Sequence, residues 1–505
     1  MELLDHIRTG IEGALGLYPI ALIVLGTGLG IVVGATPGLS SGMAVAVLLP
    51  LTFSMSPLHA MIFLTSIYVS VTYGGAITAI LLNTPGAPEN TATAFDGYPM
   101  TQKGQAGEAL GAAILSSATG GILSYLVMLV GIAGVATVAL KFGAPELFLI
   151  AIAGVAVLGA VGRGSPAKIF ASGAFGLLIG TIGVVPTGEW RATFGDPYLA
   201  EGVQVLPVLI GMFVVSELME LASRSYVVDA EVKGQRNFAA IVRGFAIPFR
   251  RLTTLLRSSA IGMGVGLIPA AGATLAAFGA YSVTRRGSRK PETFGEGNPE
   301  GIVASESANN ACSGGALMTT LVLGVPGSVT TAVLLGALTM QGLQPGPQLI
   351  HEQTALVYGL IVAAVLSQVV MVAAAVGAGY GLSGALTVPT RILIPVLMVF
   401  AMLGAFGPRN AEFDVYLMLG CGAFGFILKR CGYSPAAVVM GVILASIADN
   451  ELIRMFQLYG SEWYWAFVER PIAATILVVL VGVIAASQLR RRGRELSADP
   501  DPVQE

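Results

Sequence analysis

Glu306 lies in the stretch SESANNACSGG, where spacings of three and four residues place Asn309 and Asn310 on the same helical face. A carboxylate beside neutral amides is suited to holding a hard cation or a proton. It is a poor nucleophile or redox centre. A second set of residues occurs where apolar runs are broken. These are Asn83-Thr84-Pro85-Gly86, Gly324-Val325-Pro326-Gly327 with Ser328, Thr330 and Thr331 behind it, Pro37-Gly38-Leu39-Ser40-Ser41, and Pro269-Ala270-Ala271-Gly272. Proline removes an N–H and disrupts the bond one turn back, so each break unwinds a helix. An unwound end offers N–H groups to an anion, carbonyls to a cation and hydroxyls to either.

Such breaks need elements around them, and composition identifies the medium. Hydrophobic residues make up 54% of the 505 and charged residues 11%, with a mean hydropathy of +0.79. Soluble domains carry about 25% charged residues, so this is a polytopic, all-α membrane protein. At ~20 residues per span, the apolar runs amount to roughly ten to twelve passes. A net charge of −2 excludes a basic nucleic-acid surface. Cys312, Cys421 and Cys431 show no metal-ligand or CxxC spacing, and three histidines add little. No metal, redox or nucleophile constellation marks an enzyme, and no cofactor is expected. The N-terminus lacks the basic, apolar and cleavage regions of a signal peptide, so the first span is expected to stay in the membrane.

The chain reads as two copies. YGGAITAILLNTPG at Tyr73 to Gly86 resembles SGGALMTTLVLGVPG at Ser313 to Gly327, with one residue inserted in the second copy. GATPGLSSG at Gly34 pairs with GLIPAAGAT at Gly266, LGAVG at Leu158 with LGAFG at Leu403, and GAFG recurs at Gly173 and Gly422, all in the same order. Positive charge marks cytoplasmic loops, and equivalent loops differ in it: TRRGSRK at Thr284 is basic, whereas LTFSMSPLH has no Lys or Arg. The copies are therefore expected to be inverted, a plan common among secondary transporters. Residues 1–223 form the first membrane repeat and 258–489 the second. A basic linker at 224–257 is read as cytoplasmic and able to form an interfacial helix. A cytoplasmic tail occupies 490–505.

Ser258 to Val283 is flanked by basic residues on both sides and interrupted at Pro269 to Gly272. Its arms of about 12 residues are too short to span alone, so it reads as a re-entrant hairpin, with Tyr18 to Phe53 as its partner. Two hairpin tips and two broken helices then converge on a midplane site for a small anion and a coupled cation. The binding set is Pro37, Gly38, Ser40, Ser41, Asn83, Thr84, Pro85, Gly86, Gly272, Asn309, Asn310, Gly324, Pro326, Gly327, Ser328, Thr330 and Thr331. Simple capping of the broken ends is the competing reading of the hydroxyls. Glu306 and Asp96 are the candidate cation or proton sites. Against this, Glu306 reads equally as a loop-edge acid in water and Asp96 as a turn residue. Na⁺ is expected at the broken-helix and hairpin tips.

YGGAITAILLNTPG followed by TATAFDGYPMTQKGQAGEALG, and SESANNACSGGALMTTLVLGVPGS followed by LLGAL, resemble the large membrane subunit of the tripartite tricarboxylate transporters, the TctA family. The resemblance runs from Gly34 to about Gly441. It departs at both tips, where Leu39 is followed by serine instead of glycine and the second tip lacks a Pro-Gly pair. The resemblance implies uptake of tricarboxylates or related carboxylates across the bacterial inner membrane by Na⁺ or H⁺ symport. It also implies a small four-helix membrane subunit, a periplasmic substrate-binding protein and, by analogy with other hairpin transporters, an elevator movement. A passive anion channel is the alternative, since broken helices and inverted repeats also build channels. Inversion is directly testable. In a cysteine-free variant, single cysteines at Ser56 and Ser288 are expected to react with an impermeant maleimide from opposite faces of the membrane. Labelling from one face would end the inverted reading.

Overall fold

The computed structural model describes residues 2–161, 165–185, 187–222, 238–381 and 390–482. In its first half the helices are α1 (Glu2–Leu15), α2 (Leu17–Gly34), α3 (Ser41–Leu48), α4 (Pro57–Leu82), α5 (Thr91–Gln102), α6 (Ala106–Ala139), α7 (Ala144–Val161), α8 (Pro166–Gly180), α9 (Pro197–Ala200), α10 (Val205–Leu209) and α11 (Ser216–Leu221). The second half continues with α12 (Phe238–Gly244), α13 (Ala246–Arg250), α14 (Leu252–Gly266), α15 (Gly272–Gly287), α16 (Pro299–Leu323), α17 (Val329–Met340), α18 (Pro347–Glu352), α19 (Thr354–Gly381), α20 (Thr390–Phe406), α21 (Glu412–Arg430), α22 (Pro435–Tyr459) and α23 (Ala466–Glu469). Among the described residues the only sheet is a two-stranded antiparallel ribbon that pairs Gly183 with Arg191 and Val184 with Trp190.

Among the described residues five helical segments are long and apolar enough to cross a membrane: Leu17–Gly34, Pro57–Leu82, Ala106–Ala139, Thr354–Gly379 and Pro435–Glu469. Six shorter apolar helices of 10–17 residues accompany them among the described residues, because apolar length in this chain is divided at breaks. The hairpin arm α3 has eight residues and the half-helix α17 twelve, about 12 and 18 Å at 1.5 Å per residue. α16 has the length of a span at 25 residues, but its Glu306, Asn309 and Asn310 make it too polar to count as one by composition.

The chain folds into two compact bodies that cut across its sequence halves. One comprises Met1–Leu140 and Gln204–Cys431, the other Lys141–Val203 and Gly432–Glu505. In the second body α8 packs on α22, where a Cβ on Gly176 would lie 2.0 Å from the Val438 carbonyl oxygen. Buried Glu146 receives Arg470 Nε at 2.7 Å, and Asp449 receives Arg191 through both carboxylate oxygens at 2.9 Å.

The first body holds every break. Its two hairpins pack on the two long helices through glycine, with backbone against backbone. A Cβ on Gly34 would lie 2.6 Å from the Val71 carbonyl oxygen and 3.1 Å from Gly74 Cα. On Gly266 it would lie 2.3 Å from the Cys312 carbonyl oxygen and 3.0 Å from Gly315 Cα. After each break the chain returns to the same place. Gly86 faces the Gly34 carbonyl and Gly75, and Gly327 faces the Gly266 carbonyl and Ala316. One shift of 232 residues (34 to 266) and one of 241 (71 to 312, 74 to 315, 75 to 316, 86 to 327) carry the first set onto the second. No residue is inserted in the second copy, because Gly74 matches Gly315 and Gly75 matches Ala316. α1 packs on α19 through Gly10 and Gly359, while α12 packs on α6 through Gly244 and Gly111.

The basic linker lies partly outside the described residues, at 224–237, and the tail at 490–505 lies wholly outside them. The described end of the linker packs on protein, with Ala240 and Ile241 buried against Gly107 and Gly111. The Gly86 contact also changes what alanine would do there. Sequence alone would treat Pro85→Ala with Gly86→Ala as a simple restoration of continuous helix, yet a Cβ on Gly86 lies 2.0 Å from the Gly34 carbonyl oxygen. Gly86→Ala and Gly327→Ala are each expected to cost about 1–3 kcal/mol by overpacking. Gly28→Ala, facing open space, is expected to stay within about 0.5 kcal/mol. Thermal unfolding of the purified protein measures all three.

Candidate functional site

α4 ends at Asn83 in the left-handed conformation (φ 55°, ψ 25°), and α16 ends at Gly324 in the same one (φ 69°, ψ 11°). Glycine and asparagine are the residues that adopt it most readily at a helix C-terminus. Asn83 and Thr84 are exposed, and the Thr84 hydroxyl bonds the Leu82 carbonyl at 3.2 Å, so this pair shapes the end of α4. Pro85 and Gly86 fold back on α4, where Gly86 N–H donates to Gly75 O at 3.2 Å.

The second break and the second tip bind each other. Ala270 N–H donates to Pro326 O at 3.1 Å and Gly272 N–H to Gly327 O at 3.2 Å, with Ala270 and Gly272 both at positive φ. The expected ligand-binding groups at Gly272, Pro326 and Gly327 are thus engaged across the tip. Ser328 and Thr331 form a reciprocal capping box at the start of α17, the competing reading of those hydroxyls, and Thr330 is buried beside them.

The first tip joins this place through side chains. Pro37 and Gly38 turn the chain, Ser40 caps α3 by accepting from Met43 N–H at 3.3 Å, and the Ser41 hydroxyl donates to the carboxylate of Glu89. A Cβ on Gly42 would lie 2.6 Å from Val329 Cγ1, so the beginnings of α3 and α17 meet. Sequence reading passed over Glu89. Its signal was an acid placed immediately after a Pro-Gly break, between Pro88 and Asn90.

A second polar cluster begins one residue further on. Glu306 is fully buried, and it is no loop-edge acid in water. Its carboxylate accepts from Thr93 Oγ1 at 2.5 Å, Ser117 Oγ at 2.7 Å and Asn90 Nδ2 at 3.4 Å. Thr93 also meets Ser305 Oγ at 2.9 Å. Asn90 and Asn309 both donate to the Thr72 carbonyl, at 3.0 and 3.2 Å. Asn309 therefore belongs to the Glu306 cluster. Asn310 points elsewhere and donates to Gln368 Oε1 at 3.4 Å. Asn90, Thr93, Ser117 and Thr72 were not singled out from sequence, because hydroxyls and amides within apolar helices carry no periodic signal of their own.

Asp96 does different work. Its Oδ1 accepts the N–H groups of Gly295, Gly297 and Asn298 at 2.8–3.0 Å, and its Oδ2 accepts the Tyr281 hydroxyl at 2.9 Å. These four donors use the carboxylate to fix the loop that leads into α16.

A membrane body with two broken helices, two docked tips and buried acids held by neutral donors defines the class: a polytopic transport subunit. The chain belongs to the tripartite tricarboxylate transporter TctA family, whose model matches residues 20–440. It is also 35% identical over 491 residues, 97% of each chain, to an uncharacterised 52.8 kDa protein of Agrobacterium vitis from the TAR-I ttuC' 3' region. A second Agrobacterium vitis protein, from the TAR-II ttuC' 3' region, is 35% identical over 223 residues, which is 92% of its length and 44% of this chain. No solved structure matches. The family is one of transporters, and membership with the long apolar helices makes this a multi-pass membrane protein.

The Asp96 clamp yields its own prediction. Asp96→Asn keeps the shape but turns a charged acceptor of four hydrogen bonds into a neutral amide, and is expected to lower stability by about 1–3 kcal/mol. Unfolding midpoints of the variant and the parent, compared in detergent, check it.

Proposed function

We propose that this chain is the large membrane subunit of a binding-protein-dependent secondary transporter that imports tricarboxylates or related carboxylates by cation symport. Its place is the bacterial inner membrane, with the linker and tail cytoplasmic. Its partners are a small four-helix membrane subunit and a periplasmic substrate-binding protein. The recurring glycine contacts support two inverted repeats, and an elevator-type step of the body that carries the hairpins belongs to the same reading.

One observation carries the substrate site. At the meeting of α3 and α17 the protein already accommodates a carboxylate, that of Glu89, bonded by Ser41 next to Gly42, which abuts Val329 of α17. The beginnings of two helices supply first-turn N–H groups beyond those that Ser40 and Thr331 with Ser328 cap, and positive dipole ends, which favour anionic charge without a buried cation. A substrate carboxylate presents the same chemistry, so Ser41, Ser328 and Thr330 are the binding hydroxyls, with Glu89 as the group it displaces. Coupled transport fits this arrangement better than a channel, because the tips are closed on the breaks by hydrogen bonds.

The test is uptake of labelled tricarboxylate into proteoliposomes holding this chain and the small subunit. Uptake is expected only with the binding protein outside and an inward cation gradient. Ser41→Ala and Ser328→Ala each remove a hydrogen bond to charge worth about 1.5–3 kcal/mol, a roughly 10- to 100-fold rise in half-saturating substrate. Flux that ignores the cation gradient would establish the channel instead. Unaltered half-saturation in both variants would remove the site.

A further inference from the structure

Glu306 is fully buried, and the three groups that meet its carboxylate are all neutral. An isolated buried carboxylate is costly unless it is paired or coordinated. A second, independent feature adjoins it. Asn90 and Asn309 are both fully buried, both turn their NH₂ groups to the Thr72 carbonyl, and both leave their amide oxygens without a partner. A buried acceptor left without a partner is costly, so two on residues that share the Thr72 carbonyl next to one acid call for an occupant that satisfies them.

We infer that Glu306, Thr93, Ser117 and the amide oxygens of Asn90 and Asn309 form a binding site for a dehydrated Na⁺ ion. The donor set is oxygen throughout, which suits a hard cation. It carries one formal negative charge, so a monovalent ion neutralises it, whereas a divalent ion would leave a buried positive charge. Asn90 Nδ2 stands 3.4 Å from Glu306 Oε1. Half a turn of that amide puts its oxygen where the nitrogen is, facing a cation shared with the carboxylate. Without the ion the NH₂ group solvates Glu306; with it, the orphaned oxygen gains a partner. A proton would need one hydrogen bond and would leave both amide oxygens orphaned.

The ligands come from the chain just after the first break, from α6 and from α16, so an ion there fastens α5 to α16. Asn90 adjoins Glu89, which holds the first tip through Ser41. The ion site itself stands without the carboxylate reading, and only its coupling to uptake rests on that reading.

The experiment titrates NaCl against choline chloride at constant ionic strength on the purified full chain, following the unfolding midpoint and binding of radioactive sodium. The parent is expected to show a saturable rise in midpoint and saturable binding. Glu306→Gln should lose both, and Ser117→Ala should raise the half-saturating Na⁺ about 10-fold. Gly28→Ala, facing open space, should leave Na⁺ binding unchanged. If Glu306→Gln does not fold, Ser117→Ala and binding to the parent decide. Absent saturable binding in the parent, unchanged binding in Glu306→Gln, or protection by acidification with none by Na⁺ would overturn the site. Sodium binding without carboxylate uptake would defeat the proposed function and leave the ion site standing. Carboxylate uptake by a sodium-insensitive protein would do the reverse.

Discussion

A peptide group that leaves a helix inside a bilayer has no water to turn to, and the first body is arranged around that constraint. Both long helices are broken, at Asn83 and Gly324, and each break must find partners within the protein. Glycine answers this by bringing backbones together. Gly34 and Gly266 let each hairpin lie directly on its helix, and Gly86 and Gly327 let the returning strand of chain press into the same contact. A side chain at any of these positions would hold the backbones apart and strand the polar groups between them. Many of the 66 glycines are thus a condition of having breaks at all.

How much of this could be read from the residues depended on whether the information was backbone or side chain. Pro-Gly pairs and paired glycines announce unwinding and close approach by their own stereochemistry, so the breaks at 83–86 and 324–327 and the tips at 36–41 and 268–272 were legible. Register was harder. Identical glycines suggested an inserted residue, whereas packing equates Gly75 with Ala316, since both fit where a small residue is needed. The polar cluster was legible only at Glu306, where a charge stands out in an apolar run. Asn90, Thr93 and Ser117 reach it from two other elements, and no local pattern in a sequence records that convergence.

The contacts repeat but the chemistry does not. A shift of 241 residues takes Thr65 to Glu306, Glu89 to Thr330 and Asn90 to Thr331. Thr65 is buried and without a partner, while Glu306 is surrounded by donors. The matching contacts therefore carry an acid cluster at Glu306 and a carboxylate-holding tip at Glu89 without counterparts at the shifted positions. Two pseudo-equivalent sites of equal function would need matching side chains, and these are absent at those positions.

The two tips are fastened by different kinds of bond, and that difference bears on how each can change over generations. The second tip is seated through Ala270 and Gly272 N–H groups on the carbonyls of Pro326 and Gly327. Backbone donors do not depend on a side chain, so this tip keeps its seat wherever the residues at 270 and 272 still tolerate positive φ. The first is fastened through Ser41 and Glu89, where either side chain can be lost in one step. Divergence among homologues in what they carry, or in how readily they open, has its easiest route through the first tip.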